Sequence, residues 1–163
     1  FRTDGNGLIK NITFENVTIQ NFTKNGILIV GASDINIIKC DFSDNGSNVV
    51  PGAGFHHNLH LSYVKNAKIS QSRFDTSPWG NGIDLTFCQN IQRKTSEMAR
   101  NKQYGVYCAQ SRDITIVDNL MEGNDEKGIC VETLMDENKN LNIENNITRN
   151  NGKFILFSKN DNQ

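Results

Sequence analysis

Three side chains that can transfer protons recur at almost equal intervals along the chain. They are His60, Asp84 and Tyr107, which are separated by 24 and 23 residues. An imidazole, a carboxylate and a phenol on one surface can remove a proton from a bound substrate and return another, which is general acid–base chemistry. That chemistry requires the three side chains to be neighbours, so the chain must contain a structural repeat of the same length.

Similar segments along the chain supply this repeat. Equivalent positions are Gly26, Asn58, Gly82, Gly105, Gly128 and Lys153, at intervals of 32, 24, 23, 23 and 25 residues. Each unit contains two short stretches in which apolar residues alternate with polar ones. Strands this short do not form a stable sheet alone, so they must stack on the equivalent strands of neighbouring units. The sequence therefore predicts an all-β right-handed parallel β-helix of about six coils of 23–25 residues.

Alternation along each strand predicts which side chains enter the core. The inward positions of the first strand are Ile27 and Ile29, Leu59 and Leu61, Ile83 and Leu85, Val106 and Cys108, Ile129 and Val131, and Phe154 and Leu156. In the second strand Arg93 stands where an apolar residue is expected, which indicates a local irregularity. A leucine-rich repeat is the main alternative, but its Leu-x-x-Leu-x-Leu frame is absent.

The outward positions between the core residues form a column on the first sheet. On successive coils this column reads Leu28, His60, Asp84, Tyr107, Cys130 and Ile155. Neighbouring members should lie about 5 Å apart, within reach of hydrogen bonds. His60, Asp84 and Tyr107 are therefore the predicted catalytic residues. Thr86 and Glu132 belong to the next outward column and are predicted to contact substrate.

The repeat resembles that of the pectate-lyase-like superfamily, whose units read roughly Gly-Ile-x-apolar, then Asn-Ile-x-Ile and Asn-Asn. The resemblance covers Gly7 to Ser158, although no motif of a specific member family is complete. It implies activity on carbohydrates, since the superfamily includes pectate and alginate lyases, polygalacturonases, mannuronan epimerases and phage tailspikes. It also implies an extracellular or cell-surface location.

The resemblance and the predicted column together lead to a lyase or C5-epimerase acting on an acidic polysaccharide. Tyr107 or His60 would take or return the C5 proton, and Asp84 would orient His60 or help to hold Ca²⁺. A glycosidase is the first alternative, and it would pair Asp84 with Glu132 or Asp75. The second alternative is a non-catalytic glycan-binding, adhesin or tailspike-like solenoid.

Two loops are expected to approach this column and contact substrate. The long first interval inserts residues 47–55 and ends in His56 and His57, just before the strand of His60. The following loop carries Asp75 and Trp79, and a Trp can stack on a sugar ring or cover exposed core. Arg73 is a further candidate contact for an anionic sugar.

Metal binding is a separate question for the three histidines. His56, His57 and His60 could ligate a transition metal, but spacing alone does not fix a ligand geometry, so neutral loop histidines are predicted and no metal is assigned.

The composition argues against nucleic acid as a partner and against a membrane span. The formal net charge is −1, with 17 Lys+Arg and 18 Asp+Glu, which gives no broad field for nucleic acid, and no apolar run is long enough to span a membrane. The four cysteines are widely spaced and are predicted to be free, packed thiols. Residues 1–163 are predicted to be a single domain, either a mature product or a fragment of a longer chain. Uncapped ends of the solenoid would favour self-association.

Overall fold

The computed structural model describes residues 9–46, 56–133 and 140–159, and strands are its only regular elements. In chain order they are β1 (Ile9–Glu15), β2 (Thr18–Gln20), β3 (Ile27–Val30), β4 (Ala32–Ile38), β5 (Asp41–Ser43), β6 (Leu59–Ser62), β7 (Lys65–Ser70), β8 (Ile83–Thr86), β9 (Gln89–Lys94), β10 (Glu97–Ala99), β11 (Tyr104–Ala109), β12 (Arg112–Val117), β13 (Leu120–Glu122), β14 (Lys127–Thr133), β15 (Leu141–Glu144), β16 (Ile147–Arg149) and β17 (Lys153–Lys159). Within these ranges no helix is long and apolar enough to cross a membrane.

The strands form three parallel faces of a solenoid, and this confirms the predicted right-handed parallel β-helix. The first sheet has the order β3-β6-β8-β11-β14-β17, and the second has the order β1-β4-β7-β9-β12-β15. The third face contains β2-β5 and β10-β13-β16, which single bridges from Arg73 to Asp41 and Glu97 join. Complete coils contribute one strand to each face, except that the coil of β6 and β7 contributes only the Arg73 bridges to the third face, and equivalent residues stack on one another.

The register confirms the predicted core of the first sheet over most of its length. Ile27, Leu59, Ile83, Val106 and Ile129 are buried and pair in sequence across five strands. These apolar residues face the interior because each strand alternates its side chains across the sheet.

The last coil departs from the predicted register. Ile129 pairs with Ile155, so the prediction that Phe154 and Leu156 occupy the inward register and Ile155 the outward one is wrong by one residue. The pairing of Lys127 with Lys153 makes this coil one residue longer than the alignment on Gly128 allowed. Two segments that the sequence singled out, residues 47–55 and the insertion at residues 135–138, lie outside the described residues.

Left-handed backbone at the corners explains why the chain is rich in Asn and Asp. Asp34, Asn66, Asn90 and Asp113 all have φ between 55° and 59° at the same corner of successive coils. Asn and Asp adopt this conformation more readily than other residues with a side chain. Their side chains also bond between coils, since the Asn66 amide donates to Asp34 at 3.0 Å and the Asn90 amide donates to Asn66 at 2.9 Å.

A buried ladder of Asn side chains holds the corner that leads into the first sheet. The Asn58 amide donates to Asn101 at 3.1 Å, Asn101 donates to Asn124 at 2.9 Å, and Asn124 donates to Asn151 at 2.8 Å. A second amide contact joins Asn119 to Asn146 at 2.9 Å. Because buried polar groups must find partners, these ladders fix the height of each coil against the next.

The cysteines agree with the prediction of free, packed thiols. Cys40, Cys88, Cys108 and Cys130 are all buried, and none forms a disulfide. Burial raises the pKa of the Cys88 thiol to about 12, which keeps it protonated. Cys130 was expected on the outward column, and its register agrees, yet it is fully buried.

Arg93 occupies a core position of the second sheet, where it pairs in register with Ile69 and Ile116. It is only 1% exposed, and none of its three guanidinium nitrogens has a hydrogen-bond partner among the described residues. Burial lowers its pKa to about 9, so the group still carries its charge at neutral pH. An unpaired buried charge opposes folding.

Replacing this charge with an apolar side chain of similar length should stabilise the protein. Arg93→Met is expected to raise the free energy of unfolding by roughly 1 to 3 kcal/mol, measured by urea denaturation. The matched control is Lys94→Met on the exposed side of the same strand, which should change stability little. A less stable Arg93→Met variant would show that the guanidinium has a stabilising partner.

Candidate active site

The surface of the first sheet brings the predicted column together. His60 pairs in register with Asp84, and Asp84 pairs with Tyr107, so strands β6, β8 and β11 present the three residues on adjacent coils. A pocket of about 240 Å³ lies beside them. Its lining residues are His57, Asn81, Asp84, Gln103, Tyr104, Tyr107 and Glu132. The period of the solenoid thus builds a concave site from residues that are far apart in sequence.

Asp84 lies at the centre of the polar contacts and is only 5% exposed. Its carboxylate accepts hydrogen bonds from the Asn81 amide at 3.0 Å and from the Thr86 hydroxyl at 2.8 Å. The Nε2 atoms of His57 and His60 lie 3.5 and 3.4 Å from its two oxygens. Donors on both oxygens hold the carboxylate in one orientation, with an imidazole facing each oxygen.

The hydrogen bonds of His57 fix where its proton lies. The backbone N–H of Asn81 donates to His57 Nδ1 at 3.0 Å, so that nitrogen must carry a lone pair. Burial lowers the pKa of His57 to about 4, and the ring is therefore neutral at pH 7. A neutral ring with an unprotonated Nδ1 carries its hydrogen on Nε2, and this N–H faces Asp84.

This tautomer argues against a metal ion bound by His57, His60 and Asp84. Their ligand atoms lie within 4.8 Å of one another, which is close enough for a shared ion. A histidine that binds a metal through Nε2 needs its lone pair there and donates its Nδ1–H to an acceptor. His57 Nδ1 instead faces a backbone donor. We therefore interpret His57 as a neutral side chain whose Nε2–H lies 3.5 Å from the Asp84 carboxylate and helps to orient it.

His60 is the accessible member of the imidazole pair. Its side chain is 26% exposed, and its ring meets the buried His57 ring edge to face at 5.4 Å. Because Nε2 faces the Asp84 carboxylate, Nδ1 is the nitrogen that remains to accept a proton. The Asp84–His60 pair therefore has the arrangement of an oriented general base.

Tyr107 supplies a phenolic proton at the other end of the pocket. Its hydroxyl donates to Glu132 at 2.6 Å, and its ring stacks on Tyr104 at 5.6 Å. Burial, the Glu132 hydrogen bond and the charges of Glu132 and Asp84 all raise the pKa of Tyr107. The phenol therefore stays protonated at neutral pH and is suited to act as an acid.

The structure divides the other predicted site residues between this pocket and the rest of the protein. Thr86 contacts Asp84, and Glu132 lines the pocket. Arg73 and Asp75 are not brought to it, because both lie on the third face, where the buried Asp75 carboxylate pairs with Arg73 and Arg100. Trp79 is partly exposed and does not line the pocket.

His56 also differs from its neighbour. It is buried, and its Nδ1 has no hydrogen-bond partner within the described residues. Its carbonyl accepts a hydrogen bond from the Ser77 hydroxyl at 3.2 Å, which ties the two loops together. Of the three histidines considered as a metal set, only His57 and His60 therefore converge on Asp84.

Asn81, Gln103 and Tyr104 line the pocket but were not predicted. Asn81 donates its amide hydrogen to Asp84 and accepts from the backbone N–H of Tyr104 at 3.1 Å. Asn81 and Tyr104 each stand three residues before a column member, Asp84 or Tyr107. Extending the predicted columns upstream along each coil would have found both.

Comparison with known proteins supports the fold but names no relative. The sequence model of a family described as "Right handed beta helix region" matches residues 2–163. Neither the curated proteins nor the solved structures contain a match to the chain.

The buried neutral state of His57 predicts a pH dependence of stability. In the unfolded chain a histidine takes up a proton near pH 6.5, whereas in the folded protein it does so only near pH 4. The free energy of unfolding should therefore be highest above pH 6.5 and fall by roughly 3 kcal/mol as the pH drops to 4. Urea midpoints across this range should show the fall in the natural protein.

His57→Gln keeps an acceptor for the Asn81 N–H but cannot titrate, so the variant should lose most of this pH dependence. His56→Gln makes the same change one residue earlier and should retain it. An unchanged pH dependence in His57→Gln would contradict the assignment of a neutral, buried imidazole.

Proposed function

The chain belongs to the right-handed β-helix family. We propose that it is an enzyme that acts on a polysaccharide through the polar side chains stacked around Asp84 on the first sheet. The proposed reaction is removal of the C5 proton from a uronate residue, as in a lyase or a C5-epimerase. The observation that supports it most is the pairing of His60 with Asp84 beside the pairing of Tyr107 with Glu132. The candidate acid, Tyr107, lines the pocket, and the candidate base, His60, lies beside the pocket against its lining residue Asp84.

In this proposal His60 Nδ1 accepts the proton from C5, which lies next to the sugar carboxylate. The electron pair of the C–H bond passes onto the carboxylate, and the Asp84 carboxylate stabilises the imidazolium that forms. In a lyase the pair then forms the C4–C5 double bond, the C4–O4 bond breaks, and Tyr107 protonates the departing oxygen. In an epimerase Tyr107 returns a proton to C5 from the opposite face.

The Tyr107–Glu132 contact supports the role of Tyr107 as the acid. A phenol with a raised pKa is a weak acid, so it holds its proton until the more basic departing oxygen appears beside it. Glu132 orients the hydroxyl through the 2.6 Å hydrogen bond. His57 is a positioning residue in this scheme, since it acts on substrate only through Asp84.

The charge of the pocket limits how an acidic sugar can bind. Asp84 and Glu132 are both carboxylates, and no Lys or Arg is among the residues that line the pocket. Two side-chain amides line the pocket, those of Asn81 and Gln103, and the Asn81 amide is already used on Asp84. We assign Gln103 as the donor to the sugar carboxylate, with the His60 imidazolium adding a positive charge during the reaction.

A resident Ca²⁺ ion does not fit these residues. Calcium takes six to eight oxygen ligands. The carboxylates available here are Asp84, which already accepts from Asn81 and Thr86, and Glu132, which already accepts from Tyr107. The proposed steps therefore use only the side chains of the chain.

Glycosidase chemistry is supported less well. It usually needs one protonated carboxylic acid as the proton donor. Both pocket carboxylates accept hydrogen bonds, and Asp75, the other predicted partner, pairs with two arginines on a different face. An extracellular or cell-surface location follows from the proposed substrate and belongs to the same proposal.

Breaking either the Asp84–His60 pair or the Tyr107–Glu132 pair should strongly reduce turnover. Asp84→Asn and Tyr107→Phe are each expected to lower kcat on polymannuronate, polyguluronate or polygalacturonate by about 100-fold or more. Ultraviolet absorbance of the unsaturated product reports lyase activity, and proton NMR of the polymer reports epimerisation. Asp125→Asn, which makes the same change at an exposed ion pair with Lys102, serves as the control. Full activity in both site variants would contradict the proposal.

Chelation should leave the activity unchanged. Because the pocket lacks the oxygen ligands for a resident calcium ion, dialysis against EDTA should alter kcat and KM on the same polymers less than twofold. Activity that disappears in EDTA and returns only with added Ca²⁺ would show that a cation takes part in the reaction.

A further inference from the structure

Two exposed aromatic side chains stack on each other at the corner that follows strands β6 and β8 of the first sheet. The rings of Tyr63 and Phe87 lie 4.7 Å apart with an interplanar angle of 7°. Tyr63 is 57% exposed and Phe87 is 42% exposed. Both residues have left-handed backbone, with φ of 53° and 55°. The corner imposes this conformation on successive coils, since Gly31 and Gln110 at the equivalent position have φ of 65° and 51°.

The coil before Tyr63 carries a glycine at the position next to this stack. Backbone hydrogen bonds align one corner position on four successive coils: Gly31 donates to Ser62, Tyr63 to Thr86, Phe87 to Ala109, and Gln110 to Glu132. Gly31 therefore occupies the rung next to Tyr63, on the side away from Phe87, and it has no side chain. One face of the Tyr63 ring packs on Phe87, and the rung on the other side, about 4.8 Å away, carries no side chain.

This aromatic pair belongs to the same strands as the pocket. Tyr63 follows His60 by three residues, and Phe87 follows Asp84 by three residues. At the rise of a β-strand this separation is about 10 Å. Thr86, the residue directly before Phe87, donates its hydroxyl to Asp84. A sugar chain held in the pocket could therefore reach the aromatic pair with a neighbouring residue.

We propose that the Tyr63 ring, backed by Phe87, is a stacking platform for a pyranose ring of the polysaccharide. This inference rests on the proposed function and extends the same site. The apolar face of a pyranose is flat and suits contact with an exposed aromatic ring. A folded protein partner would require about 800 Å² of surface on each side, far more than two rings provide. Tyr63 thus takes the role that the sequence suggested for Trp79.

Direct binding tests the platform apart from turnover. Isothermal titration calorimetry would measure oligomannuronate and oligogalacturonate binding to the Asp84→Asn protein, with cello-oligosaccharides as the uncharged probe. Adding Tyr63→Ala should weaken binding of the bound oligosaccharide about tenfold, the size expected from losing one aromatic contact. In the active protein the same change should raise KM and leave kcat unaltered. Phe22→Ala, an equally exposed aromatic elsewhere, is the control.

A second variant adds a side chain at Gly31, next to the Tyr63 ring, and keeps both aromatic rings. Gly31 has φ of 65°, a conformation that Asn adopts readily, so Gly31→Asn should fold normally and weaken binding to a similar extent. If Tyr63→Ala lowers stability, as thermal unfolding would reveal, Gly31→Asn and Tyr63→Leu decide the question. Unchanged affinity in Gly31→Asn and in the folded Tyr63 variants would overturn the platform, as would absence of binding to every probe.

The two proposals can fail separately. Weaker binding in Tyr63→Ala, together with full activity in Asp84→Asn, would support the platform and remove the proposed catalytic pair. Loss of turnover in Asp84→Asn, with unchanged binding in Gly31→Asn and Tyr63→Ala, would keep the catalytic pair and overturn the platform.

Discussion

In-register stacking of parallel coils is the constraint on which the rest of the structure depends. Each coil lies about 4.8 Å from the next, so residues some two dozen positions apart become direct neighbours. The core follows from this stacking, since Leu59, Ile83 and Val106 repeat one apolar position. Polar ladders follow as well, because each buried Asn amide finds its partner on the adjacent coil. An error of one residue on any coil would break both sets of contacts.

The same stacking brings polar residues that recur along the sequence into one network of contacts around Asp84. His60 on the preceding coil contacts the Asp84 carboxylate because the two residues are paired in register. His57 and Asn81 reach the same carboxylate from the turns before β6 and β8. Burial keeps His57 neutral, and the backbone N–H of Asn81 selects its tautomer. The orientation of the candidate base is thus a consequence of solenoid geometry.

Sequence alone predicted the parts of the site that strand alternation and the repeat length determine. His60, Asp84 and Tyr107 fall on one column for that reason. The tautomer of His57 depends on burial and on a backbone donor, neither of which leaves a sequence pattern. Arg73 and Asp75 were assigned to the site because only two strands per unit were recognised. The third face consists of three-residue strands and of the single bridges at Arg73, which are too short to show alternation, and Arg73 and Asp75 lie on that face.

Stacking places the buried Asp84 carboxylate against Nε2 of both His57 and His60. Nitrogen-15 NMR of the imidazole rings at neutral pH is the decisive measurement, because it reports which ring nitrogen carries the proton. We expect the Nε2–H form for both rings, and a change in the His60 signal when Asp84 is replaced by Ala. A protonated Nδ1 on either ring, or signals that do not respond to loss of Asp84, would contradict it.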